Sequence, residues 1–198
     1  MKKFVVPAVV VAIALLAANW GCSSYNQLVG LDEQDTAAWA QVQNVYQRRA
    51  DLVPNLVATV EGAADFERGT LTDVIEARAK ATQITVDESI VNDPQKLAQF
   101  QAAQGELSGA LSRLLVAVER YPDLKANQNF LALQSQLEGT ENRIAVERRK
   151  FNETAQTFNA RIRVVPTSLI ARIGGFERKA YFEADAAAQK APEVKFGG

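Results

Sequence analysis

The chain has 198 residues, 22 Lys and Arg against 23 Asp and Glu, one Cys and no His. The missing His excludes Ser-His-Asp and Cys-His catalysis, and any His-ligated zinc or haem site within the chain. A single Cys excludes an intrachain disulfide and a Cys-cluster metal site, and a formal net charge of −1 gives no basic excess to hold a phosphate backbone.

The N-terminus reads as an export or anchoring segment. Lys2 and Lys3 precede an apolar run from Phe4 to Ala18, then Asn19, Trp20, Gly21 and Cys22. No acidic residue occurs before Asp32, and the next basic residue after Lys3 is Arg48. By the positive-inside rule the N-terminus stays cytoplasmic and the rest of the chain is translocated to the periplasmic, extracytoplasmic side. Three fates are compatible with residues 1–22. The segment can remain as a transmembrane helix, since extension through Cys22 is long enough to span. It can be a lipoprotein signal with Cys22 lipidated, although Asn19 and Trp20 stand where Leu and a small residue are usual. It can be a signal peptide cut after Ala18.

From Asp32 to Ala81 a helical pattern follows. Trp39, Tyr46, Val53 and Val60 recur every seven residues, beside a second row of Val42, Arg49, Leu56 and Ala63. Pro54 falls inside this pattern and predicts a kink or a break there. Gly62 and Gly69 weaken the far half, and Thr70 with Asp73 predicts a restart with a box-like cap. From Pro94 to Tyr121, Leu97, Phe100, Gln104, Leu107, Leu111, Leu114, Val118 and Tyr121 alternate at spacings of three and four. This is a heptad seam with one polar member, Gln104, opened by Asp93 as N-cap and Pro94 just inside. Pro122 ends that helix and Asp123 is placed to cap the next.

The longest pattern runs from about Asn127 to Val164, a helix of roughly 57 Å. Phe130, Leu137, Ile144, Phe151, Phe158 and Val165 recur every seven residues, while the companion row Leu133, Thr140, Glu147, Thr154 and Arg161 turns polar. After Pro166 come a short apolar piece from Ser168 to Ile173, Gly174-Gly175, Phe176, Tyr181, Phe182 and an Ala-rich end. No strand alternation of useful length appears. Such helices bury their stripes by packing together. The expected fold is all-α: an antiparallel up-and-down bundle of three to four long helices behind an N-terminal membrane anchor. The expected division is 1–22 anchor, 23–185 bundle domain and 186–198 flexible tail.

Several long stretches carry a family resemblance. They are Ser24-Tyr25-Asn26-Gln27-Leu28-Val29, then Gln47-Arg48-Arg49-Ala50-Asp51-Leu52-Val53-Pro54-Asn55-Leu56-Val57. Tyr121-Pro122-Asp123-Leu124-Lys125-Ala126-Asn127 and Thr140-Glu141-Asn142-Arg143-Ile144-Ala145 follow. With Asn152, Asn159, Pro166 and Gly175-Phe176, they resemble the bacterial LemA proteins over residues 24–196. The resemblance implies a membrane-associated helical bundle of the cell envelope and implies no reaction.

The polar seam residues have two readings. Arg49, flanked by Val42 and Leu56, is either an anion or partner site or one half of an ion pair across helices, with Glu147 as the candidate carboxylate. Asp51, Pro54, Asn55, Glu141, Asn142, Arg143, Asn152 and Asn159 are likewise candidates for fixing helix register or contacting a partner. Glu147-Arg148-Arg149-Lys150 reads as a solvated face rather than a lipid contact. Gly105 and Gly109 read as a close helix contact or an accident rather than a membrane dimer motif. No cofactor, metal or nucleic acid is expected. The expected function is a non-enzymatic, coiled-coil-like scaffold that meets a protein partner or itself. An enzyme or accessory acting on envelope material through carboxylates is the alternative, and a lipid-surface binder the third reading.

Overall fold

The computed structural model describes residues 2–62, 66–84, 87 and 89–183. Ala63 of the second seam row and the tail 186–198 lie outside the described residues. Among the described residues seven helices follow in order: α1 Lys2–Glu61, α2 Arg68–Gln83, α3 Ser89–Asn92, α4 Pro94–Val118, α5 Pro122–Lys125, α6 Gln128–Arg161 and α7 Thr167–Ile173. The long ones pack up, down, up and down. Three rungs show α1 and α6 antiparallel: Arg161 donates to Gln27, Thr154 to Asp35 and Arg49 to Glu141. Exposed ion pairs mark the same relation between α2 and α4, joining Glu67 to Arg120, Asp73 to Arg113 and Lys80 to Glu106.

α1 is a single element of 60 residues, about 90 Å long. Its N-terminal part is apolar and long enough to cross a membrane. Val9, Val10, Val11, Ile13, Leu15 and Leu16 are all exposed, whereas burial begins at Ser24 and Leu28. The helix does not split at Pro54. Proline lacks the N–H that would bond the carbonyl four residues back, which is that of Ala50. Arg78 of α2 fills the place: its Nε–H donates to the Ala50 carbonyl at 2.8 Å. The helix therefore runs on to Glu61, and the break falls between Gly62 and Arg68.

α2 starts at Arg68 behind Glu67, with no side-chain cap, so the Thr70–Asp73 restart is three residues late. Asp93 caps α4 through bonds from the N–H groups of Gln95 and Lys96, at 2.9 and 3.3 Å. Asn127, not Asp123, caps α6, accepting from Asn129 and Phe130. Asp123 lies in the short α5. α6 stops at Arg161, so Val165 leaves the seven-residue row and lies exposed, while Phe130, Leu137, Ile144, Phe151 and Phe158 are buried.

Among the described residues most of the core lies in two apolar clusters. One joins Val53, Leu56 and Val60 of α1 to α2, α4 and the first half of α6. The other gathers around Trp39, Tyr46, Phe100, Phe151 and Phe182. The Trp39 ring lies 5.7 Å from Phe100 and 5.5 Å from Phe151, at tilted or edge-on angles that aromatic pairs favour.

Candidate functional site

A polar layer separates the two clusters, and Arg49 is its centre. Only 1% of Arg49 is exposed. Its Nη1 reaches Glu141 Oε1 of α6 at 2.8 Å and donates to Ser108 of α4. Its Nη2 donates to the Gln104 side-chain oxygen and backbone carbonyl. Gln104 passes the connection on, its Nε2 donating to the Ala81 carbonyl of α2 at 3.3 Å. One guanidinium thus ties all four long helices at a single level. The Tyr46 ring covers it, 5.1 Å from Cζ. Against the second core cluster lies a recess of about 270 Å³ lined by Gln43, Gln47, Tyr46, Phe100 and Gln104 among others.

Two sequence expectations change here. The carboxylate that meets Arg49 is Glu141, not Glu147. At the antiparallel pairing of α1 and α6, Arg49 stands opposite Glu141, while Glu147 lies nearly two turns further along and pairs with Lys150 at 2.8 Å. Gln104, the polar break in the α4 seam, is the arginine's principal acceptor. Asp51, Pro54, Asn55, Asn142 and Arg143 are exposed. Asp51 accepts from Gln47 at 2.8 Å, and the Asn55 carbonyl from Thr59. An added Cβ would meet nothing within 4 Å at Gly105 and only the Arg113 side chain at Gly109. Cys22 is exposed on α1.

Asp35 is a buried carboxylate that extends the row Leu28, Asp35, Val42, Arg49 and Leu56 by seven-residue steps. Following the Val42 row one heptad back would have found it. It is fully buried; Thr154 donates to Oδ1 at 3.1 Å, and Oδ2 has no hydrogen-bond partner. Burial pushes its pKa up to about 6, against the Thr154 hydrogen bond and the Lys179 ammonium, with a smaller push upward from Asp32. The folded state therefore holds this proton more tightly than the unfolded chain, whose carboxyl titrates at 3.8. The resulting stabilisation is complete below that value and disappears as pH rises through about 6, a loss of up to about 3 kcal/mol. Asp35→Asn retains an acceptor for Thr154 and removes the charge. Urea midpoints measured from about pH 5 to pH 7 should lose most of their slope in the variant; an unchanged slope would assign the titration to other groups.

Beyond α7 the chain turns at Gly174-Gly175. Gly175 has φ +73°, open to glycine, and a Cβ on Gly174 would stand 2.8 Å from the Phe176 ring. Residues 176–183 then run extended along α6, held by side-chain amides. Asn159 donates to the Lys179 carbonyl and accepts from the Lys179 N–H, both at 2.8 Å. Asn152 does the same for Phe182, both at 2.9 Å. Gln101 of α4 repeats it at Glu183, at 2.9 and 3.2 Å. Arg148 adds a bond to the Glu183 carbonyl and lies over the Phe182 ring. So Asn152 and Asn159 clamp a strap, and Arg148 of the charge run serves it as well. Gln101 and Lys179 escaped the sequence reading, because a backbone clamp has no periodic signature.

Comparison with known proteins fits this frame. MamQ 2, a magnetosome protein of Paramagnetospirillum magneticum, is 27% identical over 175 residues, covering 80% of this chain and 64% of its own length. The magnetosome protein MamQ of Magnetospirillum gryphiswaldense is 27% identical over 174 residues, with the same coverage. Protein LemA of Metamycoplasma hominis is 26% identical over 160 residues, covering 80% of this chain and 68% of its own. This chain therefore spans slightly less than two thirds of the magnetosome proteins it matches. The model of the LemA family matches residues 38–196, from the middle of α1 past the strap, and the chain belongs to the LemA family.

Proposed function

We propose that the chain is a membrane-anchored, non-enzymatic scaffold of the cell envelope, with its N-terminus cytoplasmic and its bundle on the extracytoplasmic side. The observation that carries this reading is the continuity of α1, which passes from an exposed apolar segment into the bundle core without a joint. A rigid element of that length holds the bundle at a fixed place relative to the membrane. Retention of residues 1–22 is the anchoring mode this continuity favours; lipidation of Cys22 is the other. Intact mass separates them, near 21.6 kDa for the uncut chain and a shortened, diacylated species for the lipoprotein.

The scaffold reading is further supported by what the family-matching stretches do. Arg49, buried, and its half-exposed partner Glu141 join α1 to α6, and Arg49 reaches α4 and α2 through Gln104. The exposed members of these stretches, Asp51, Asn142 and Arg143, lie near the same level, with Asn55 nearly two turns further along α1, and contribute little to the core. The adjoining recess is lined by amides, aromatics and aliphatics, which recognise hydrogen-bonding surfaces. A photo-crosslinking residue placed at Asp51 or Asn142 in membranes should give a discrete adduct with a second copy or another envelope protein. Recovery of uncrosslinked chain alone from both positions would remove the proposal.

A further inference from the structure

The base of the bundle carries an apolar face that the core leaves uncovered. Val164, Val165, Leu169 and Ile173, on α7 and the turn before it, are 50, 81, 61 and 76% exposed. These four side chains lie within ten residues of chain, unlike the exposed Ile75, Val116 and Leu131 elsewhere. Single exposed apolar residues are ordinary, whereas a contiguous group marks an interaction surface. The placement of α7 is equally specific. It packs on α1 at Gly21, where an added Cβ would lie 3.7 Å from Ile170 Cδ1. Next to it the Tyr25 and Phe176 rings meet at 5.6 Å. Gly21 is three residues past Ala18, where the apolar run ends, a rise of about 4.5 Å. Trp20, an interfacial residue type, is 40% exposed at the same level.

Charge points the same way. Between Arg161 and Lys179 stand three basic residues, Arg163, Arg172 and Arg178, and one acidic residue, Glu177, in a chain whose formal net charge is −1. Arg163 and Arg172, both exposed, flank the apolar side chains. A face of aliphatic side chains rimmed by arginine, at the foot of a membrane helix, matches a bilayer interface with anionic headgroups. A second copy would bring the same positive charge to the contact and be repelled.

We propose that α7 and the turn before it dock on the membrane, seating Leu169, Ile173, Val164 and Val165 in the anionic lipid interface of the leaflet from which α1 emerges. The bundle then stands on two supports, the spanning helix and this foot, and its tilt is fixed. The inference rests on the anchored reading, since the foot gains its position from the anchor.

The lone cysteine makes a test on the full chain practical. In a Cys22→Ser background, a fluorophore is attached at Ile173→Cys, at Leu15→Cys in the anchor, or at Val116→Cys on the far part of α4. The proteins are placed in nanodiscs of phosphatidylcholine and phosphatidylglycerol. Nitroxide on the lipid acyl chains should quench the Ile173 label several-fold more than the Val116 label, and iodide should reach it less. Arg163→Glu with Arg172→Glu should reduce the lipid quenching at Ile173. Equal access of iodide to both labels, with Leu15 quenched by lipid, would overturn the docking and leave the anchor standing. Shielding of Ile173 from iodide and from lipid nitroxide alike would show a second copy on the face, and would overturn it too. A Leu15 label beyond the reach of lipid would refute the anchor reading, while the Ile173 label would still report docking by itself.

Discussion

Arg49→Met lowers the unfolding free energy by about 4 kcal/mol, chiefly because it strips the donor from two buried acceptors of Gln104. The substitution keeps much of the apolar stem and removes the guanidinium. The Gln104 carbonyl and side-chain oxygen then face apolar neighbours, and Gln104 is itself only 7% exposed. Each buried acceptor left without a donor costs roughly 1–3 kcal/mol. Glu141 contributes less, because its side chain is 40% exposed and water can solvate it. Urea titration of the full chain in detergent, with the m-value checked for constancy, measures the loss. A shift worth less than about 1 kcal/mol would show that the layer does not act as a unit.

The same layer explains why a costly group stands in the core. Replacing Arg49, Gln104 and Glu141 together by Met, Leu and Leu should restore stability to within about 1 kcal/mol, since an apolar layer needs no partners. What the triple variant loses is discrimination between registers. The rows through Trp39 and Tyr46 on α1, Leu97 and Leu111 on α4, and Ile144 and Phe151 on α6 are aliphatic and aromatic, and sliding one helix by seven residues would keep much of that contact. A slid helix would bury Arg49 against leucine or phenylalanine. A single polar residue in a seam specifies register in this way.

The rows themselves were plain in the sequence, because a seven-residue apolar repeat has few other structural solutions. Phe130 through Phe158 went to the core as their spacing requires. What escaped depends on contacts between residues far apart in the chain. Pro54 predicts a break or kink from local chemistry alone, and the carbonyl it leaves unpaired is satisfied by Arg78, 28 residues on. Arg49 was recognisable as a seam arginine, but its partner was not, because the choice between Glu141 and Glu147 turns on the register of two antiparallel helices. Asp35 was legible as the next member of a row, and its raised pKa was not, since that follows from burial by α6. The strap offered least of all. Residues 176–183 have no period, and the asparagines that hold them resemble any others on a helix.

Those asparagines yield the second large effect. Asn152→Ala and Asn159→Ala should each lower the free energy of opening the strap by about 2 kcal/mol, because each leaves a backbone N–H and a backbone C=O without their partners. The two sites are seven residues apart on α6, about 10 Å, so the double variant should lose about 4 kcal/mol. Arg178 and Lys179 make the strap a trypsin site that opening exposes. The Lys179 side chain is 10% exposed and pairs with Asp32 at 2.8 Å, and Phe182 lies in the Trp39 cluster. When opening is fast relative to cleavage, the cutting rate follows the open population, and a loss of about 2 kcal/mol raises it roughly 30-fold. Asn159→Asp separates the amide from mere bulk. Its carboxylate can accept from the Lys179 N–H but cannot donate to the Lys179 carbonyl, so its effect should fall between wild type and Asn159→Ala. Cleavage after Lys179 at the wild-type rate in the double variant, with global stability unchanged, would mean that the Asn152 and Asn159 amide pairs contribute nothing and that the remaining contacts hold the strap.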